Sequence, residues 1–179
     1  MHDAPVYLTR HDAVASLVLN RPAKHNALTE AMWLEISELL AEAEADSDIQ
    51  VLIVRGKGGA FAAGADISEF EDVYATPERA EAYSRAIGAA LDGLADFPKP
   101  TIASIEGACV GGGCALALAC DLRLAVSSAK FFYPVMKLGF LPQPSDPARL
   151  CALIGPARTK LVLMAGQKLT ADTALRFGL

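Results

Sequence analysis

Two stretches of small residues could do chemistry with their backbone. Phe61-Ala62-Ala63-Gly64-Ala65-Asp66-Ile67 follows a short β-branched run, and Gly107-Ala108-Cys109-Val110-Gly111-Gly112-Gly113-Cys114 leads into an Ala/Leu-rich segment. Small residues let the backbone approach a ligand closely, and a helix N-terminus leaves its first N–H groups unpaired. Two such N–H groups from separate segments can converge on one carbonyl oxygen. In a water-poor site they stabilise the negative charge that develops there. Three consecutive glycines also suit a tight strand-to-helix turn, so the pattern alone leaves both readings open. A phosphate cradle fits less well, because no G-x-G-x-x-G opens a helix and no glycine-rich loop ends in Gly-Lys-Ser/Thr.

The elements that must position these segments alternate in type. Val14 to Leu19 reads as a strand closed by Asn20-Arg21-Pro22. Thr29 can cap a helix with Met32, Ile36, Leu39, Leu40 and Ala43 on one face, ending at Asp46 to Asp48. Val51 to Val54 is a second strand, and Tyr83, Ile87, Leu91 and Leu94 mark a second helix broken at Phe97-Pro98-Lys99-Pro100. Thr101 to Ile105 is a strand ahead of the glycine-rich turn, a helix runs to Cys120, and Leu122 to Val126 is another strand. Asp146 to Leu179 reads as two or three short helices. Strands alternating with helices predict a layered α/β architecture, and the lack of an internal repeat or linker predicts one domain over 1–179.

The 179 residues are 53% hydrophobic and 21% charged, enough for one domain with a core. A net charge of −5 with no basic block argues against nucleic-acid binding. No apolar run reaches the ~18 residues of a membrane span. The start, Met1-His2-Asp3-Ala4-Pro5, does not resemble a secretory signal. Cys109, Cys114, Cys120 and Cys151 form no CxxC pair, which fits free thiols in a reducing cytoplasm, and no metal is expected.

Read together, these motifs resemble the crotonase (enoyl-CoA hydratase/isomerase) superfamily. Asn20 to Leu28 is similar to the N-R-P-x-x-x-N-A-L segment, and Phe61 to Ile67 to F-x-A-G-A-D-I/L. Lys99-Pro100-Thr101-Ile102-Ala103 with Gly107 resembles K-P-x-I-A-x-x-x-G. Gly111-Gly112-Gly113 then leads through Leu116 to Asp121 and Arg123, as in G-G-G-x-E-L-A-L-A-C-D-x-R. Leu138-Gly139 to Pro142, with Arg149-Leu150 and Gly155, completes the order. The resemblance implies an α/β spiral of ββα repeats and a coenzyme A thioester as ligand, with no separate cofactor. It implies an oxyanion hole from the N–H groups of Ala65 and Gly112, with Ala63, Asp66, Ile67, Ser68 and Gly111 around the thioester and pantetheine. Lys24 is a contact for CoA phosphates or simply a loop lysine. Asp66 fixes its loop, and His25 remains a loop residue.

The pattern breaks at the proton carriers. Hydration of an enoyl group needs one group to activate water and another to deliver a proton, which two carboxylates do in the family's hydratases. The first position, two residues after the third glycine, is Ala115; the second, after Pro134, is Val135. A third position used by some relatives, just after Pro142, holds Gln143, which cannot act as a base near neutral pH. Asp146 is the nearest ionisable candidate, although Ser145 or Asp146 before Pro147 is also a good helix start. Tyr133, Glu69 and Glu106 are further candidates. Ordinary hydratase turnover is therefore not expected. A different thioester reaction, an inactive acyl-CoA-binding paralogue and a structural subunit of an active homologue are the alternatives. Thr170 to Leu179 resembles A-x-x-A-L-x-x-G-L-V and then stops, so most of the family's C-terminal helical region is expected to be missing, leaving apolar surface for a homotrimer to cover.

Overall fold

In the computed structural model, residues 3–179 are described; Met1 and His2 of the N-terminal reading lie outside them. Strand β1 (Val6–His11) turns at Asp12-Ala13 into β2 (Val14–Leu19), which buries Ala15 and then Leu17, Val18 and Leu19 in succession. Thr29 caps α1 (Glu30–Ala45) by accepting from the Met32 N–H at 3.2 Å, and Met32, Trp33, Ile36, Leu40 and Ala43 are its buried face. Strand β3 (Val51–Gly56) is followed by the Phe61–Ile67 loop, a short α2 (Phe70–Val73) and α3 (Pro77–Ala95), capped by Thr76. Next come β4 (Thr101–Ile105), β5 (Ala108–Val110), α4 (Gly112–Ala119), β6 (Leu122–Ala125) and β7 (Lys130–Phe132). The chain closes with α5 (Val135–Leu138), α6 (Ser145–Leu163), β8 (Leu169–Thr170) and α7 (Ala171–Phe177). Helix α6 breaks at Gly155, ahead of Pro156, so the C-terminal part holds three helical segments.

One sheet has the order β1-β2-β3-β4-β6, antiparallel between its first two strands and parallel thereafter. A second sheet has the order β5-β7-β8. Parallel bridges from Leu28 to Ala65 and from Ala62 to Cys109 extend that second layer. Each parallel strand of the first sheet thus feeds a short extended segment of the second layer and then a helix. The pairs β2 with Leu28, β3 with Ala62–Ala65, β4 with β5 and β6 with β7 are four turns of a ββα spiral. The repeat is absent from the sequence because each turn fills a different part of the core with different residues.

Helix α4 is apolar on every side and buried from Gly113 to Ala119, which places it between the layers. Its C-terminal carbonyls are held by Arg123, whose Nη1 donates to the Cys120 carbonyl at 2.9 Å. Thr101 and Asp121 bond reciprocally and fix the start of β4 against the end of α4. Lys99 reaches back to donate to the carbonyls of Ala43, Glu44 and Asp46, closing the C-terminus of α1. Cys109, Cys114 and Cys120 are buried free thiols, and Cys151 is half-buried. No helix among the described residues is long and apolar enough to cross a membrane.

Candidate functional site

The two small-residue segments meet through backbone pairing. The N–H groups of Phe61 and Ala62 donate to the Ala108 carbonyl, and the Val110 N–H donates to the Ala62 carbonyl at 2.9 Å. The approach is so close that a Cβ on Gly113 would lie 2.6 Å from the Ala62 oxygen. Gly64 has φ +97°, and a Cβ there would sit 3.0 Å from the Val110 oxygen and 3.6 Å from the Gly112 nitrogen. Leu28 donates to the Gly64 carbonyl and accepts from the Asp66 N–H, both at 2.8 Å. Alternate groups of an extended segment face opposite sides, so the Ala65 N–H points away from Leu28. Gly112 is the first residue of α4, where helical pairing begins only with Ala115 donating to Gly111. Neither the Ala65 nor the Gly112 N–H donates to a backbone carbonyl among the described residues.

Ala65 and Gly112 both border one cleft of about 160 Å³. Ala63, Gly64, Ala65, Gly111 and Gly112 form its small-residue wall; Ile67, Phe70, Tyr74, Pro134, Val135, Leu138 and Phe140 form the rest. No carboxylate or imidazole is among these residues. Its one titratable side chain, Tyr74, is pushed up from the usual phenol value by burial. Val135 faces the cleft, whereas Ala115 is 2% exposed in the core at the fourth residue of α4.

Polar side chains around the cleft are committed elsewhere. Asp66 accepts from the Ser68 hydroxyl at 2.7 Å and the Ser68 N–H at 3.1 Å, and pairs with Arg21 at 2.8 Å. The Ser68 hydroxyl and the Arg21 guanidinium hold its carboxylate down to about 2, against the opposing effect of burial. Arg21 also donates to the Ala27 carbonyl at 2.6 Å, which ties the Asn20-Arg21-Pro22 turn to the Ala65 loop. Asn26, fully buried with φ +57°, accepts from the Arg21 N–H and donates to the Lys57 and Ala60 carbonyls. Glu69 accepts from the Glu30 N–H at the start of α1. Lys24 ends an exposed 3₁₀ turn, and His25 contributes its carbonyl to the Ala63 N–H. Glu106 is exposed, and Gln143 bonds Ser84.

Asp146 departs from expectation. Helix α6 already begins at Ser145, because the Asp146 N–H bonds the Gln143 carbonyl, and no side chain caps it. Pro147 is therefore its third residue, the Ser145 hydroxyl accepts from Arg149, and the expected capping role fails. Asp146 is turned inward at 3% exposure, with its Oδ1 unpartnered. Burial pushes it up to about 7, with the Asp92 charge adding and Arg149 opposing. Tyr133 is buried nearby with an unpartnered hydroxyl and a strongly raised pKa, chiefly from burial. Neither residue lines the cleft. The aromatic wall of Phe70, Tyr74 and Phe140 was not singled out by sequence; only the i,i+4 spacing of Phe70 and Tyr74 hinted at it.

The enoyl-CoA hydratase/isomerase family profile matches residues 9–179. The chain belongs to this family. Its relatives there include a probable enoyl-CoA hydratase of Mycobacterium tuberculosis, 37% identical over 174 residues, covering 97% of this chain and 66% of the relative. A crotonyl-CoA hydratase of Syntrophomonas wolfei is 36% identical over 176 residues, with 97% and 66% covered. The crystal structure of a family protein from Hyphomonas neptunium superposes with TM-score 0.95 at 46% identity, covering 98% of this chain and 67% of that one. The chain thus spans about two thirds of the length of these family members, and its α/β spiral is theirs.

Proposed function

We propose that this chain binds an acyl-CoA thioester and polarises its carbonyl between the N–H groups of Ala65 and Gly112. The observation that carries the reading is a pair of backbone donors on facing segments, both bordering one cleft and neither engaged by a backbone carbonyl. Such donors act on the oxygen where charge develops, in an apolar setting that strengthens them. Gly111 and Ala63 leave room for the thioester, and Ile67 and Ser68 flank the pantetheine path. Lys24, on an exposed turn, supplies the cation that meets a CoA phosphate in this reading.

Proton transfer is the weak part of the site. A positioned carboxylate is worth roughly a hundred- to ten-thousand-fold in general acid–base catalysis, and this cleft has none. Polarisation still acidifies the carbon next to the carbonyl, so a thioester supplying its own proton acceptor could react. Hydration of a simple enoyl-CoA is expected to be slow. A chain that binds acyl-CoA without turnover is the second reading, favoured by Val135 standing in the cleft wall.

Exposed Leu122, Leu124 and Val126 on and just beyond edge strand β6, with Leu175 on α7, favour association with further copies, three by family resemblance. Sedimentation as a monomer at micromolar concentration would refute that part.

The test is calorimetric titration with crotonyl-CoA and acetoacetyl-CoA, following enoyl absorbance and the ¹³C resonance of a labelled thioester carbonyl. Binding with a downfield carbonyl shift and little loss of enoyl absorbance is expected. Binding without any carbonyl shift would refute the paired-donor reading, and rapid hydration would refute the account of Ala115 and Val135.

A further inference from the structure

The cleft beside Ala65 and Gly112 does not end at its aromatic wall. On the other side of Tyr74 and Phe140 lies a second space of about 400 Å³. Tyr83, Ile87, Leu141 and Pro142 are among its lining residues. Among the described residues, only Tyr74 and Phe140 border both spaces. Their rings stack with centroids 5.0 Å apart at 29°, and Phe70 buttresses Phe140 edge-on at 5.1 Å. Tyr83 meets Tyr74 edge-on at 5.9 Å from the far side. The partition is thus built from α2, the loop after α5 and α3, and aromatic contacts hold it.

We infer, resting on the acyl-thioester reading above, that the Tyr74–Phe140 stack is the end wall of the acyl site and sets the longest acyl chain admitted. With the carbonyl at Ala65 and Gly112, the near space of about 160 Å³ takes the acyl group. Continuing the chain straight on brings it against the two rings. Among the described residues no charged side chain lines either space, so the near space favours an uncharged acyl group. Truncating one ring joins the two spaces, and Tyr83, Ile87, Leu141 and Pro142 continue the apolar lining. Each further methylene then buried improves binding by about fourfold.

The experiment measures dissociation constants of butanoyl-CoA, decanoyl-CoA and the ω-carboxy analogue of decanoyl-CoA for wild type, Phe140→Ala and Tyr74→Ala. Phe140→Leu is added as a milder change, and thermal melting shows which variants are folded. Wild type is expected to bind butanoyl-CoA more tightly than decanoyl-CoA. Phe140→Ala is expected to improve decanoyl-CoA binding at least about tenfold relative to butanoyl-CoA, as two or more methylenes enter. The ω-carboxy analogue should gain less than decanoyl-CoA, because no cationic side chain among the described residues lines either space. Equal wild-type affinity for both chain lengths, or a uniform change in the folded variants, would overturn the partition while leaving the thioester reading standing. Failure of folded wild type to bind butanoyl-CoA would overturn the thioester reading, and the partition with it.

Discussion

Replacing Asp146 with asparagine should stabilise the protein, by an amount that grows with pH. The carboxyl is 3% exposed, one oxygen lacks a partner, and the nearest guanidinium, Arg149, is bonded to Asp92 and Ser145 instead. Burial therefore places its folded-state pKa at about 7, against 3.8 for the free side chain. Because the folded value lies above the unfolded one, the folded state binds the proton more tightly between them. Stability is then greatest below about pH 4, falls as pH rises, and has lost this contribution once pH passes about 7. Some three pKa units at about 1.4 kcal/mol each give a full cost on the order of 4 kcal/mol. Between pH 5 and pH 8 the wild type should lose roughly 2–3 kcal/mol that Asp146→Asn does not lose. Urea unfolding of both proteins at the two pH values measures the difference directly. Parallel pH dependences, within about 0.5 kcal/mol, would refute the argument, because a carboxylate that titrates normally is either solvated or paired.

Restoring both carboxylates, Ala115→Glu with Val135→Glu, should raise crotonyl-CoA hydration at least about a hundredfold while costing stability, since residue 115 is buried. Retained binding with no gain in enoyl loss would show that these positions do not face the substrate. Asn26→Ala removes three buried hydrogen bonds and leaves a left-handed backbone without its stabilising side chain. A loss of about 3 kcal/mol in urea unfolding is expected, and less than about 1 kcal/mol would show that water replaces the side chain. Gly113→Ala drives a methyl against the Ala62 backbone, so a loss of about 2 kcal/mol together with weaker acyl-CoA binding is expected. Unchanged melting and binding would mean that the two donor segments are not held as closely as the structure shows.

Much of the fold could be read locally. Thr29 before an apolar 3.6-residue period gives α1, Pro98 and Pro100 stop α3, and the β-branched run at Val51 gives β3. The two small-residue segments were legible as close-approach or tight-turn sites, and only the family resemblance singled out the donor reading. Short elements escaped: β5, β7 and β8 have two or three residues each, too few for any period to show. Asp146 was misread for a related reason. A carboxylate near a proline looks like a cap, and only the hydrogen bond from its own N–H to Gln143 starts the helix early enough to turn it inward.

By itself the sequence determined the family, the longer strands and helices between β2 and β6, and the two small-residue segments, because these depend on residue types within a few positions of one another. Through the family resemblance it also led to the expectation that Ala115 and Val135 stand where carboxylates would be needed. Tertiary structure decided the relations between distant segments. It made Lys99 the closure of α1, turned Glu69 to the start of that helix, and buried Asp146 beside Tyr133. It also brought Phe70, Tyr74 and Phe140 into one wall. Local preferences fix how a chain turns, whereas which side chains finally meet depends on the packing of helices and layers whose residues lie far apart in sequence.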